Sequence, residues 1–145
     1  MAGLSVRNCT KLIYEKRVGM LHSDIIKIAV KNGWQVSITN SEDGFFFDFH
    51  RRTLGGLPFS FTAELTDGLV GTLVDETISF VDALDPERYA GEWLEISGDL
   101  SPSRYFQAVT DMDDIRTRAW LLAFDLSEIA EKGDKLLNFP WYSWN

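Results

Sequence analysis

Between Trp34 and Leu65 the apolar residues fall at every second position in three successive runs, and on either side the spacing changes to three or four. A period of two sends alternate side chains to opposite faces of a strand, whereas a period near 3.6 lays them along one side of a helix. The pattern predicts a sheet flanked by helices.

Trp34, Val36 and Ile38 define the apolar face of the first strand. Asn40 to Gly44 is a polar turn ending in glycine. In the second run Phe45, Phe47 and Phe49 oppose Phe46, Asp48 and His50, so one face is aromatic and the other largely polar. Leu54-Gly55-Gly56-Leu57 makes the next turn, and Pro58 suits the first residue of a strand because it cannot donate to a ladder. Phe59, Phe61, Ala63 and Leu65 then alternate with Ser60, Thr62 and Glu64. Connections this short predict an antiparallel meander, and a three-stranded sheet needs helices over its apolar face.

Ser23 to Gly33 reads as a helix with Ser23 as N-cap, Ile25, Ile28 and Ala29 inward, and Gly33 just past its end. Upstream, Leu12, Ile13, Tyr14, Val18 and Leu21 fit a helical stripe after Thr10, while Lys11 to Tyr14 fits an edge strand; the helix is preferred. After the sheet, Val70, Val74, Ile78, Val81 and Leu84 recur at helical spacing, opposite Asp75, Glu76, Ser79 and Asp82. Asp85-Pro86 and Ser101-Pro102 are each a cap followed by a helix-starting proline. The first opens a helix with Tyr89, Ala90, Trp93 and Leu94 inward. The second opens a long one, striped by Tyr105, Val109, Met112, Ile115, Ala119, Leu122, Leu126 and Ile129 and stopped by Gly133. Residues 119–124 are apolar nearly all round, which predicts burial on more than one side.

The expected fold is α+β: a three-stranded antiparallel meander over about residues 34–65, covered by an N-terminal helical segment and two to three C-terminal helices. A chain of 145 residues accommodates one domain and would cramp two, so residues 1–145 are taken as one unit.

Charge changes the picture. Residues 1–72 carry eight Lys or Arg and seven Asp or Glu, while residues 73–145 carry six and fifteen. The helical half is therefore strongly acidic, which repels nucleic acid and anionic lipid and suits a basic partner. No apolar run of about 18 residues is present to span a bilayer, and Met1 to Thr10 lacks the apolar core of a signal peptide. The expectation is a cytoplasmic protein with no membrane partner and no direct nucleic-acid contact. The lone Cys9 rules out an internal disulfide, and no motif around it supports a nucleophile.

Candidate chemistry is sparse. Phosphate loops, dinucleotide glycine patterns, zinc spacings and nucleophile elbows are missing from the sequence, so no cofactor, metal or catalytic residue is assigned. His22 and His50 are 28 positions apart, with no Cys or carboxylate at the spacing of a zinc site. The cluster Asp111-Met112-Asp113-Asp114 reads as a solvated helix face with Arg116 and Arg118 near enough to pair. His50-Arg51-Arg52 is the basic point of the sheet, and ion pairs with the acidic helices account for it. A helix, a three-stranded meander and a helix also occur in that order in double-stranded RNA-binding domains. That module needs a basic face, and Asp75, Glu76 and Asp82 occupy the helix here.

The segments Val74-Asp75-Glu76 through Asp82, Asp85-Pro86-Glu87-Arg88-Tyr89-Ala90-Gly91-Glu92-Trp93-Leu94 and Asp111-Met112-Asp113-Asp114-Ile115 resemble the acidic helical end of small uncharacterised proteins from bacterial mobile elements and gut commensal bacteria. The resemblance covers about a third of the chain with the stretches between, and implies a bacterial source rather than a mechanism.

Three functions are weighed. The favoured one is a non-enzymatic partner-binding protein, of inhibitor, immunity or nucleic-acid-mimic type, meeting a basic protein through Asp75, Asp82, Glu92, Asp113, Trp141 and Trp144. The second is a small-molecule site or enzyme, with a pocket beside the phenylalanine-rich sheet and His50 or Arg52 at work in it. The third is a homodimer joined through the aromatic tail, Leu136 to Asn145.

Overall fold

The computed structural model describes residues 22–98 and 101–137. Helix α1 runs through residues 22–31, then come β1 (Gln35–Asn40), β2 (Gly44–Arg52), β3 (Pro58–Thr66), α2 (Val70–Ala83), α3 (Pro86–Ser97) and α4 (Pro102–Leu137). The expected α+β architecture is present: the strands form an antiparallel sheet in the order β1-β2-β3, with helices on both sides of it in sequence. The alternatives left open for residues 4–20, and the aromatic tail beyond Leu137, lie outside the described residues.

The alternation in sequence becomes the two faces of the sheet. Trp34, Phe47, Phe49, Phe61, Ala63 and Leu65 are buried together. Their rings interlock: Phe49 stacks on Phe61 with centroids 5.1 Å apart, Phe61 on Phe80 of α2 at 4.3 Å, and Trp34 meets Phe61 edge-on at 5.3 Å. Each fully buried Phe contributes about 1.5–3 kcal/mol relative to exposure. Gln35, Ser37 and Thr39 of β1 and Ser60 and Thr62 of β3 are exposed on the other face, where Ser37 Oγ lies 3.0 Å from His50 Nε2 and Thr62 donates to Asp48.

Turns follow the glycines and one aspartate. Gly33 ends α1 with φ +83°, and Trp34 N–H returns to the Ala29 carbonyl at 2.8 Å. Ser23, expected as the N-cap, already lies inside the helix, because the helical backbone includes His22. Asp67 and Gly68 both have positive φ, and Leu69 N–H closes the turn onto the Thr66 carbonyl at 3.0 Å. Asp-Gly suits such a turn because Asp tolerates the left-handed region better than most residues.

Helix α2 is rotated slightly from its sequence reading. Leu73 and Thr77 are fully buried with Val70, Val74 and Val81, and Ile78 sits at the solvent boundary. A hydroxyl can occupy the centre of this face because Thr77 Oγ1 donates to the Leu73 carbonyl at 2.9 Å, which removes the cost of an unpaired buried donor. The Asp85-Pro86 signal holds: Asp85 Oδ1 accepts from the backbone N–H groups of Glu87 and Arg88 at 3.1 and 3.3 Å. Asp85→Ala is expected to lower stability by about 1 kcal/mol, read as a shifted midpoint at unchanged slope in urea unfolding.

Helix α4 packs on α2 and α3 and places Met112, Ile115, Ala119, Leu122 and Leu126 in the common core. It continues through Gly133 to Leu137, so that glycine does not stop it; an interior glycine costs only about 1 kcal/mol, which the surrounding turns absorb. Asn32, at the end of α1, ties the two ends of the fold together by donating to the Ile28 carbonyl and to Asp125 of α4, both at 2.9 Å.

Candidate functional site

At 36 residues, α4 is about 54 Å long, whereas the nine-residue strands span about 30 Å. A helix that outruns its sheet has more side to cover than the sheet provides. Phe106, Asp113, Thr117, Trp120, Phe124 and Glu131 fall within about 60° of one another on the helix, directly opposite the buried stripe. Trp120 is 51% exposed and Phe124 53%, yet their rings stack with centroids 5.7 Å apart and planes 14° apart. Leu121 and Glu128 flank them, both exposed. The result is an aromatic patch on an open helix face, with Asp113 before it and Glu128 and Glu131 after it.

This corrects the expectation that residues 119–124 are buried on more than one side. Only Ala119, Leu122 and Ala123 are buried there. Helix α3 shares a cavity with residues 104–112 of α4, so it lies along the start of that helix and not over the patch. Hydropathy measured residue by residue cannot distinguish a second packing partner within the chain from one outside it.

The acidic residues singled out in the sequence do not converge. Asp75 and Asp82 are exposed on one side of α2, two turns apart. Glu92 is exposed on α3 and pairs with Arg88 at 3.1 Å. Asp113 pairs with Arg116 at 2.8 Å, and Asp114 with Arg118 at 2.9 Å. Exposed pairs of this kind contribute about 0–1 kcal/mol, leaving their carboxylates available to a competing cation. Of the four, Asp113 alone stands beside the aromatic patch. Trp141 and Trp144 lie outside the described residues.

Asp111 departs furthest from the reading of its cluster as a solvated face. It is 3% exposed, and its Oδ1 accepts from Gly55 N–H at 3.0 Å and from the Gln107 side-chain amide at 2.7 Å. A carboxylate on α4 thereby holds the β2–β3 turn against the helix. Gly55 is needed for the approach, since a Cβ there would stand 2.7 Å from Asp111 Oδ2. Beside this contact is a cavity of about 310 Å³, lined by the turn, Tyr89 and Trp93 of α3, and Arg104, Gln107 and Met112 of α4. Of the five core-facing phenylalanines of the sheet, beside which a pocket was expected, only Phe59 lines this cavity.

A second, more open depression of about 500 Å³ lies at the end of the strands, lined by Gly33, Gln35, His50, Arg51, Arg52 and Ser60 among others. Neither arginine forms an ion pair with the acidic helices among the described residues, contrary to expectation. Arg51 lies over the Trp34 ring at 5.0 Å and donates to the Asn32 carbonyl at 3.3 Å. Burial and the neighbouring Arg118 pull its guanidinium below the ordinary value, with Asp114 opposing them. Arg52 donates to the Gly56 carbonyl at 2.7 Å. Both side chains thus brace backbone. The two histidines sit on opposite faces of the sheet: His50 beside Ser37 on the open face, and His22 edge-on to Phe45 and Phe47 on the core face, where burial lowers its pKa.

No helix among the described residues is long and apolar enough to cross a membrane. No family model, curated protein or solved structure matches the chain.

Proposed function

We propose that this protein is a binding module that docks a basic protein partner on the solvent face of α4, in the manner of an inhibitor or immunity-type protein. The observation that carries the reading is the stacked, half-exposed Trp120–Phe124 pair, held on a rigid helix and bracketed by Asp113, Glu128 and Glu131. Aromatic side chains lose little conformational entropy on binding and dominate interface energetics, whereas acidic groups at the rim steer a basic partner and set the encounter rate. Asp75, Asp82 and Glu92 extend the negative field without touching the patch. A second copy of the same chain fits poorly, because its own acidic rim would face this one.

A photo-reactive phenylalanine analogue at Leu121, in cells of the native source, tests the reading. The expected product is one dominant adduct to a basic protein, lost in the Trp120→Ala/Phe124→Ala variant although that variant still folds. With the partner in hand, the double alanine variant should weaken affinity at least 100-fold. Asp113→Lys should slow association several-fold at low salt, a difference erased near ~0.5 M salt. Absence of an adduct, or an adduct indifferent to the two aromatic residues, refutes the docking face.

A further inference from the structure

The contact between Asp111 and the β2–β3 turn leaves a charge unanswered. Both of its hydrogen-bond donors, the Gly55 N–H and the Gln107 amide, are neutral and converge on Oδ1. Oδ2 has no donor among the described residues, and Asp111 forms no ion pair there. Asp111 as a residue is only 3% exposed and lines the cavity, and a carboxylate so enclosed ordinarily has a cation against it. Arg104 lines the same cavity, and none of the ion pairs among the described residues joins it to Asp111. Among the described residues, then, no cation pairs with this carboxylate beside the open volume.

The rest of the lining defines what could fill that role. Leu57, Pro58, Phe59, Tyr89, Trp93, Ala108 and Met112 make the wall predominantly apolar and partly aromatic. A volume of about 310 Å³ lies at the small end of ligand sites, which are mostly apolar with a few converging polar groups. From these features we infer that the cavity is a binding site for a small organic cation: an amine on a compact apolar or aromatic body. Its ammonium group hydrogen-bonds to Asp111 Oδ2, and its body lies against Trp93 and Tyr89, whose ring faces also attract cations. The site is separate from the α4 docking face, because Asp111 is on the buried side of the helix and Trp120 on the exposed side.

The test uses the full chain and three probes of one shape: 2-phenylethylamine, neutral 2-phenylethanol and anionic phenylacetate. Binding is followed by the amide resonances of Gly55 and the Gln107 side chain, which report directly on Asp111. The amine should shift both signals and bind at least tenfold more tightly than either competitor. Asp111→Asn, which keeps an acceptor for Gly55, should abolish that preference. Ala108→Leu should block every probe with Asp111 intact, and it serves as the independent variant if the asparagine protein does not fold. Equal affinities for amine and alcohol, tighter binding of phenylacetate, an unchanged preference in Asp111→Asn, or no shift at millimolar amine would each overturn the assignment and leave Asp111 as a turn latch alone.

Discussion

Phe49→Ala is expected to remove about 3–5 kcal/mol of stability. Phe49 is wholly buried at the centre of the sheet, with Phe47 at 6.3 Å on its own strand, Phe61 at 5.1 Å on β3 and Trp34 at 6.4 Å. Its loss would remove a ring from a continuous aromatic layer whose members are held by backbone pairing and cannot close the gap. Because a domain of this size is stable by only about 5–15 kcal/mol, this single truncation takes a large share. Phe46→Ala, on the partly exposed opposite face of the same strand, should cost less than about 1 kcal/mol. Urea unfolding of the two variants measures the contrast, and a similar loss in both would mean that the faces of β2 have been assigned wrongly.

Gly44→Ala should cost about 3 kcal/mol, for a reason unrelated to dihedral freedom. A Cβ at Gly44 would lie 1.9 Å from the Leu65 carbonyl oxygen and 3.1 Å from Thr66 Cα. These are backbone atoms of the paired strand, which cannot swing aside as a side-chain end can. Relief requires β2 and β3 to part where Gly44 faces Thr66, next to the Asp67 N–H bond to the Asp43 carbonyl at 3.2 Å. Gly56 is the appropriate control. It has φ +85° and nothing within 4 Å of its Cβ position, so Gly56→Ala should show only the left-handed backbone cost of about 1–2 kcal/mol. Thermal unfolding that ranks Gly56→Ala as the worse variant would contradict the close approach at Gly44.

The sheet was legible in the sequence because alternation and burial coincide there: Phe47 and Phe49 point inward for the same reason that they alternate with Asp48 and His50. The start of α3 was legible from its cap, Asp85, whereas the start of α2 was legible only from the apolar spacing that begins at Val70, since Leu69 makes no side-chain cap bond. The candidate sites were harder to see. Asp111 looks like its neighbours Asp113 and Asp114 until the β2–β3 turn, more than fifty residues away in sequence, is folded against it. Trp120 and Phe124 carry the four-residue spacing of one helix face, a signal available in the sequence, but the apolar residues between them read as burial. Whether an apolar face is covered depends on which side of α4 the other helices pack, and α3 packs on the side of Asp111 and Met112, away from this one.

The hydrogen bond from Asn32 to Asp125 has a kinetic consequence. Most of the other packing contacts join elements close along the chain: strand to next strand, β3 to α2, α3 to α4, and α2 to α4 across the single helix α3. Such contacts close short loops and form rapidly. The link between α1 and α4 spans 93 residues, and closing a flexible loop of that length costs about 4 kcal/mol of chain entropy. The meander and its following helices are therefore expected to assemble before α1 docks on α4. By the same reasoning the α1–α4 seam is expected to open early, and hydrogen exchange would place it among the least protected contacts.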